Sequence, residues 1–317
     1  MPAEPQIEQP TATAWPPLPR TEMRNERTTE IDVVGTLELL RLLNAEDALV
    51  AGAVAAPLPA LAVVVDAAVG RIRAGGRVHY FGAGSSGRIG VLDAAEVVPT
   101  FGADPGLFVA HQAGGEAAVA QAIEGAEDRQ SLGEAAAAGL TAADVAIGLS
   151  ASGRTPYVAG ALRRARAAGA LTVLVSSNLA APLAEFADCT LLADTGPEAI
   201  AGSTRLKAAT AEKMILNSLS TAIMIKLGRT YSNLMVWLAS TNEKLRRRQV
   251  LILMEASGAT EAACRAELDR CDGDLRLAML CLLAGLAPDA AASALAAAGG
   301  NVRAALAAAA TVDGVER

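Results

Sequence analysis

Two hydrophobic patterns divide the chain, and the change falls near residue 77. Before it, apolar residues recur at helical spacing. Glu38-Leu39-Leu40-Arg41-Leu42-Leu43 opens a helical region, Asn44 and Asp47 offer N-caps for the next helix, and residues 51–69 read as helix. After it come short, almost continuous apolar runs: Val78-His79-Tyr80-Phe81, Val145-Ala146-Ile147-Gly148-Leu149, Leu171-Thr172-Val173-Leu174-Val175 and Cys189-Thr190-Leu191-Leu192. Runs of this length, separated by helical stretches, predict parallel strands buried on both faces. The expected fold is an open three-layer α/β sandwich, with ligands at the carboxyl ends of its strands. A helix is expected over residues 203–227, which lack Gly and Pro, and the region from residue 242 onward is helical and Ala-rich. Within it, Leu268…Gly273-Asp274-Leu275-Arg276 is echoed by Leu295…Gly300-Asn301-Val302-Arg303, the mark of two small helical units that bury each other's apolar faces.

Two strand ends carry the clearest chemistry. The first run enters Gly82-Ala83-Gly84-Ser85-Ser86-Gly87-Arg88 before a helix at residues 89–96. About sixty residues later the second strand-like run enters Ser150-Ala151-Ser152-Gly153-Arg154-Thr155, followed by Pro156 in the first turn of a helix. A strand that ends in such a turn aims backbone N–H groups and hydroxyls at one point, which suits a phosphate. Taken singly, each loop is also an ordinary βα turn with serine as a helix cap; two in one sheet favour the anion site. Ser85, Ser86, Ser150, Ser152 and Thr155 are the candidate ligands. Gly82, Gly84 and Gly87 have dinucleotide-loop spacing, but no acidic residue follows the next strand as that fold requires, and there is no GxxxxGK[ST]. Ser203 and Thr204 open the long helix with Arg205 and Lys207 in its first turn. Cations there oppose the helix dipole unless an anion is present, so substrate binding and plain capping are equally good readings.

Composition narrows the function class. Apolar residues make up 52% and charged residues 19%, enough for a large core, and aromatics at 3% leave little for a base-stacking surface. A net charge of -7 argues against a nucleic-acid partner. Cys189, Cys264, Cys271 and Cys281 show no CxxC spacing and only His79 and His111 accompany them, so no metal is expected; free thiols in a reducing cytoplasm are. Pro57, Pro59 and Asp66 interrupt residues 51–69, and the start lacks a basic segment followed by an apolar run, so neither a membrane span nor a signal peptide is expected. Residues 1–20, rich in Pro, Thr and Ala, are expected to be a disordered extension. Residues 21–248 form the sandwich domain and residues 249–317 the helical one.

Acidic residues cluster after the first loop: Asp93, Glu96, Glu116, Glu124, Glu127 and Asp128. Moving a proton next to a carbonyl and protonating a leaving oxygen suit two carboxyls. Glu96, between Ile89-Gly90-Val91-Leu92 and Val97-Val98, is expected to be desolvated and kept as an acid. Glu124 and Glu127, at i and i+3, can share a helix face, and pattern alone does not choose between them. One straight helix from Ser86 would carry Glu96 ~15 Å from the phosphate loop. Either the helix stops before Pro99 or a second subunit completes the site.

FGAGSSGRIGVLDAAEVVPTFG (81–102), AGGEAAVAQAIEGAED (113–128), LSASGRTPYV (149–158), GSTRLKAATAEKMILN (202–217), TEMRNERTTEID (21–32) and NLMVWLASTNEKLRRR (233–248) together resemble the N-acetylmuramic acid 6-phosphate etherases. The resemblance implies a sugar isomerase (SIS) fold of flavodoxin type, commonly a homodimer, working in the cytoplasm in peptidoglycan recycling without metal or organic cofactor. It implies cleavage of the lactyl ether to N-acetylglucosamine 6-phosphate and D-lactate. The family's acid glutamate falls on Glu96 and its second glutamate, in EGAED, on Glu127. Ala95, Val97, Val98 and Ala209 depart from the common family pattern. The C-terminal repeat resembles ubiquitin-associated three-helix units, without implying ubiquitin binding. A non-catalytic phosphosugar sensor, like the glucokinase regulatory proteins, and an aldose–ketose phosphate isomerase are the competing readings; both acids together favour the lyase. A dimer is also expected because residues 203–227 and the Ala-rich C-terminal region offer more apolar surface than one sandwich needs.

Overall fold

The computed structural model describes residues 18–238 and 243–315. Seventeen of the twenty residues expected to form the extension lie outside the described residues. Pro19 is buried, however, and Arg20 opens a 3-10 turn, so the folded part already includes them.

Five strands form the main sheet: β1 (Val78–Gly82), β2 (Phe108–Gln112), β3 (Val145–Leu149), β4 (Leu171–Ser176) and β5 (Cys189–Leu192). All neighbours are parallel, in the order β2-β1-β3-β4-β5, with Val78 level with both Phe108 and Val145, and Val145 level with Leu171. Four strands match the expected runs. The chain leaves β1 for one side of the sheet and β3 for the other, so the crevice between their carboxyl ends is the topological switch point, where open α/β sheets bind ligands.

Alternating side chains feed two cores. Val78, Tyr80, Ile147, Val173 and Val175 face one layer, built from α2 (Val50–Ala55), α3 (Leu58–Arg73), α4 (Gly84–Phe101) and α8 (Lys207–Lys226), with α1 (Thr36–Asp47) preceding α2 in the chain. Phe81, Ala146 and Leu174 face the other, with α6 (Gln130–Ala136) and α7 (Pro156–Ala167); the short α5 (Ala117–Ala120) lies beside α4. Asn44 and Asp47, expected to cap the second helix, instead lie within α1, and α2 starts only at Val50.

A third core gathers α9 (Glu243–Ser257), α10 (Glu261–Arg270), α11 (Leu275–Ala284), α12 (Pro288–Ala297), α13 (Val302–Val315) and the small antiparallel pair β6 (Thr230–Tyr231) and β7 (Leu234–Met235). Arg248, expected as the domain limit, falls inside α9, and the apolar residues of this core begin at Tyr231, the buried ones at Val236. The sequence repeat is a repeated structure. Gly273 N–H donates to Leu268 O at 2.8 Å and Gly300 N–H to Leu295 O at 2.9 Å, both glycines with positive φ. Asp274 then caps α11 through Arg276 N–H, and Asn301 accepts from Ala304 N–H at the start of α13. This unit docks on the sandwich through Trp237, whose ring is flanked by the guanidinium groups of Arg229 (3.7 Å) and Arg276 (3.9 Å). Arg229 also donates to the carbonyl of Gly102 at the end of α4.

The chain's long helix leaves little of the spare apolar surface expected of it, Ile225 being its exposed large apolar residue. α8 is packed against α2, α3 and α4, and the C-terminal helices fill their own core. Beyond Ile225 on α8 and Leu251 on α9, exposed apolar residues lie on α1 (Leu37, Leu40), α3 (Val63) and α4 (Leu92, Val98). Among the described residues no single helix is long and apolar enough to cross a membrane.

Candidate active site

Because the five strands are parallel, the segments that follow them share one rim of the sheet. Ser85, Ser86, Glu127, Ser150, Ser152, Thr155, Ser203 and Thr204 all lie on those segments. Glu96 does not.

The loop after β1 is drawn tight by two glycines. A Cβ on Gly87 would stand 2.6 Å from Gly82 O and 1.9 Å from Gln112 Oε1, so only glycine lets the first turn of α4 settle on the strand end. Ala83, the N-cap, supplies no side-chain hydrogen bond, leaving the first-turn N–H groups directed at the rim beside Ser85 and Ser86. Ser86 Oγ and Glu212 Oε1 are hydrogen-bonded at 3.0 Å, linking one loop to the long helix behind it.

In the loop after β3, Ser150 Oγ and Thr155 Oγ1 are 2.8 Å apart, Ser152 Oγ accepts from Arg154 N–H, and Asn178 donates to Ser152 O at 2.8 Å. Pro156 occupies the first turn of α7, as expected. The support from Asn178 reveals a third rim segment that the sequence reading passed over. Ser177, next to it, is buried with its hydroxyl unpartnered among the described residues. The signal was present, in Ser176-Ser177-Asn178 at the end of a recognised strand.

Glu127 joins the two loops. Its carbonyl accepts the N–H of Tyr157 in the first turn of α7 at 2.9 Å, and a cavity of about 160 Å³ sets it beside Ala83, Gly84, Gln112 and Glu124. The helix expected under Glu124 and Glu127 does not form. Residues 121–129 are turns, and α6 starts at Gln130. Both residues line this cavity through the fold of the loop rather than through helical spacing.

Glu96 lies elsewhere. α4 continues through Pro99 to Phe101 and closes on Gly102, whose N–H donates to Val98 O. Twelve residues after Gly84, Glu96 is ~18 Å down the helix from the rim. Its side chain is exposed rather than desolvated, among the exposed Leu92 and Val98. The helix therefore does not stop early, and one protomer does not bring Glu96 to the serine loops. The buried acid of α4 is Asp93, one turn earlier, which accepts from Tyr80 Oη (2.8 Å) and Ser220 Oγ (3.0 Å); burial raises its pKa against those two bonds.

Ser203 and Thr204 precede α8 without capping it, since the helix begins at Lys207. The anion that its N-terminus calls for is supplied by the protein. Glu198, fully buried, accepts Lys207 N–H and Ala208 N–H at 2.9 Å each. Lys207 sends its ammonium to Glu46 Oε2 at 2.6 Å, and Glu46 also accepts from Arg27. Segment 197–202 is held by the N-terminal residues: Asn25 donates to Pro197 O, Thr28 Oγ1 to Ala199 O, and Gly202 N–H to Thr21 O. That is the structural work of the 21–32 motif.

A larger cleft of about 820 Å³ runs along the free edge of β2, lined by His111, Gln112, Glu116, Ile123 and Arg129, and reaches Glu124 but none of the serines. His79 Nδ1 and His111 Nε2 are 3.0 Å apart. Burial lowers both pKa values, that of His111 to about 4, so the pair is neutral and shares one N–H. Glu267, Cys271 and Cys281 bring ligand atoms within 4.8 Å of one another in the helical core. They fall one short of the four that a structural zinc site takes, and Glu267 already pairs with Arg270.

Residues 60–166 match the glucokinase regulatory protein N-terminal SIS domain, and residues 121–221 match the SIS domain. An N-acetylmuramic acid 6-phosphate etherase of Thermobifida fusca is 57% identical over 83% of this chain and 86% of its own length. One of Streptomyces avermitilis is 50% identical over 91% and 94%. Among solved structures, a phosphoheptose isomerase from Francisella tularensis superposes with a TM-score of 0.50 at 18% identity, covering 61% of this chain and all of that one. That likeness speaks for the fold alone.

Proposed function

We propose a mechanism from the premise that this chain belongs to the N-acetylmuramic acid 6-phosphate etherase family. As a carbon–oxygen lyase it acts on the ether that joins lactate to C3 of the phosphorylated sugar. In the open-chain sugar that oxygen lies β to the C1 aldehyde, so the C2 proton is acidic. Glu127 takes the C2 proton and Glu96 protonates the departing lactate oxygen as the C3–O bond breaks, giving an unsaturated aldehyde. Water then adds, its oxygen to C3 and a proton to C2, to give the N-acetylglucosamine 6-phosphate product. Ser85, Ser86, Ser150, Ser152 and Thr155 hold the 6-phosphate. Glu198 already fills the N-terminus of α8, so Ser203 and Thr204 contribute hydroxyls to the sugar rather than a second phosphate site. Remote phosphate binding supplies the positioning that a carbon acid needs.

The observation that supports this reading is that Glu127 lines one cavity with Ala83 and Gly84, at the start of the first serine loop, while its carbonyl accepts from Tyr157 N–H just after the second. The distance of Glu96 from that point supports a homodimer in which the partner brings Glu96 to it. The exposed leucines and valine on α1 and α4 are the surface such a partner would cover. Peptidoglycan recycling is supported by the muramic sugar in the relatives' name, and the cytoplasm by four free thiols, three of them buried. The phosphosugar-sensor reading has less behind it, because the relatives that match most of the chain carry an enzyme's name.

The test is lactate release from the phosphorylated muramic sugar. Glu96→Ala and Glu127→Ala should each be at least ~100-fold slower while still binding product. Equal mixtures of the two variants, dissociated and reassembled, should recover about a quarter of wild-type activity, because half the dimers then hold one intact shared site. Unchanged turnover in either variant removes that residue from its role, and no recovery on mixing removes the shared site.

A further inference from the structure

Behind Ser86 stands a carboxyl that the mechanism does not use. Glu212, on α8, is 1% exposed. Its Oε1 is the partner of Ser86 Oγ at 3.0 Å, and its Oε2 has no hydrogen-bond partner among the described residues. Among the described residues no cation offsets it. Lys207 is committed to Glu46, and Lys213 acts on Asp93, which is itself held by Tyr80 and Ser220. The residues that α2 and α3 pack into this layer are apolar, Val50, Val54, Leu61, Val64 and Val65 among them, as are Val173 and Val175 from β4. An ionised carboxylate with one serine donor in such a place costs several kcal/mol, whereas the neutral acid is tolerated.

We propose that Glu212 is a positioning residue whose neutral acid form turns the Ser86 hydroxyl toward the sugar phosphate. A serine hydroxyl has one proton to give. A neutral Glu212 donates its own O–H to Ser86 Oγ, and the serine proton is then free for a phosphate oxygen. An ionised Glu212 must take the serine proton, and Ser86 then presents lone pairs to an anion. Burial raises the Glu212 pKa to about 8, with the Ser86 bond opposing that rise, so the acid form prevails below about 8 and is lost above it. Phosphate binding and ionisation of Glu212 therefore oppose each other.

This inference rests on the reading that the Ser86 loop binds phosphate, and the experiment separates the two. Calorimetric binding of N-acetylglucosamine 6-phosphate to the full chain is measured from about pH 7 to about pH 9.5, where the ligand's phosphate, with a second pKa of about 6, stays dianionic. Wild-type affinity should fall roughly 10-fold across that range, the worth of one hydrogen bond to a charged group. Glu212→Gln, whose amide can still donate to Ser86, should bind within about 3-fold of wild type at pH 7 and lose the pH dependence. Ser86→Ala should bind weakly at every pH. A flat wild-type profile, or a Glu212→Gln profile as steep as wild type, overturns the role of Glu212 even if Ser86→Ala is weak. Wild-type affinity in Ser86→Ala overturns the phosphate reading of the loop itself. The wild-type and Ser86→Ala profiles decide the matter even if Glu212→Gln fails to fold.

Discussion

Replacing Glu46 with Gln should be among the most damaging single changes outside the rim. Glu46 is 2% exposed and Lys207, its partner, 0%. The Arg27 hydrogen bond chiefly, with help from Lys207 and against burial, holds the Glu46 carboxyl down at about 2 from 4.5. A difference of that size corresponds to about 3 kcal/mol between charged and neutral forms. Gln keeps the shape but removes the charge, leaving a buried ammonium without its counter-ion, a situation that costs about 3–5 kcal/mol. Both routes reach the same magnitude. Urea unfolding near neutral pH should show that loss, and the pair Glu46→Leu with Lys207→Met should restore most of it, because the ammonium that needed Glu46 is then gone too. The sign with pH follows from a depressed carboxyl: the contribution is complete above about 4.5 and fades as pH falls toward about 2, and Glu46→Gln should lack that acid-sensitive component. A loss under about 1 kcal/mol, or a double variant as unstable as the single, would refute the reasoning.

Other consequences are open to direct measurement. Gly87→Ala must push against the carbonyl of Gly82, which cannot give way; it should cost about 1–3 kcal/mol in unfolding free energy and weaken phosphosugar binding at least ~10-fold. Unimpaired binding would show that the loop is not set by this contact. Trp237→Ala removes both stacked guanidinium contacts and should split a single calorimetric transition into two as the helical unit uncouples from the sandwich; one sharp transition would contradict that. His111 resists protonation in the fold, so stability should be level above about 6.5 and decline as pH falls toward about 4; His111→Phe should flatten that interval.

The sequence made the sheet legible where burial on both faces removed polar interruptions, as in β3 and β4. It hid β2, whose Phe108-Val109-Ala110-His111-Gln112 ends in two polar residues because it is the edge strand. The position of the serine loops was readable because two Gly- and Ser-rich turns each follow a strand of the one sheet. Spacing misled for Glu124 and Glu127, since a periodicity of three is also what a turn-rich loop can carry. It misled for Glu96 too, because its apolar neighbours read as a buried pocket but lie on an exposed helix face. The start of α8 was misplaced by four residues because its cap is Glu198, distant along the strand-following loop and invisible to a search for a local Ser or Thr cap. Glu212 gave no signal at all: a lone acid in an Ala-rich helix looks like a solvent-facing one.

The far end of α4 is not free. Gly102 closes the helix directly against Trp237, where a side chain would meet the tryptophan carbonyl at 2.8 Å, and Arg229 fastens that same glycine from below. The appended helical unit thus serves as the footing of a rigid strut whose other end is the serine turn. Glu96 stands six residues from that footing and twelve from Gly84, so a disturbance of the C-terminal unit should reach Glu96 before it reaches the serine turn.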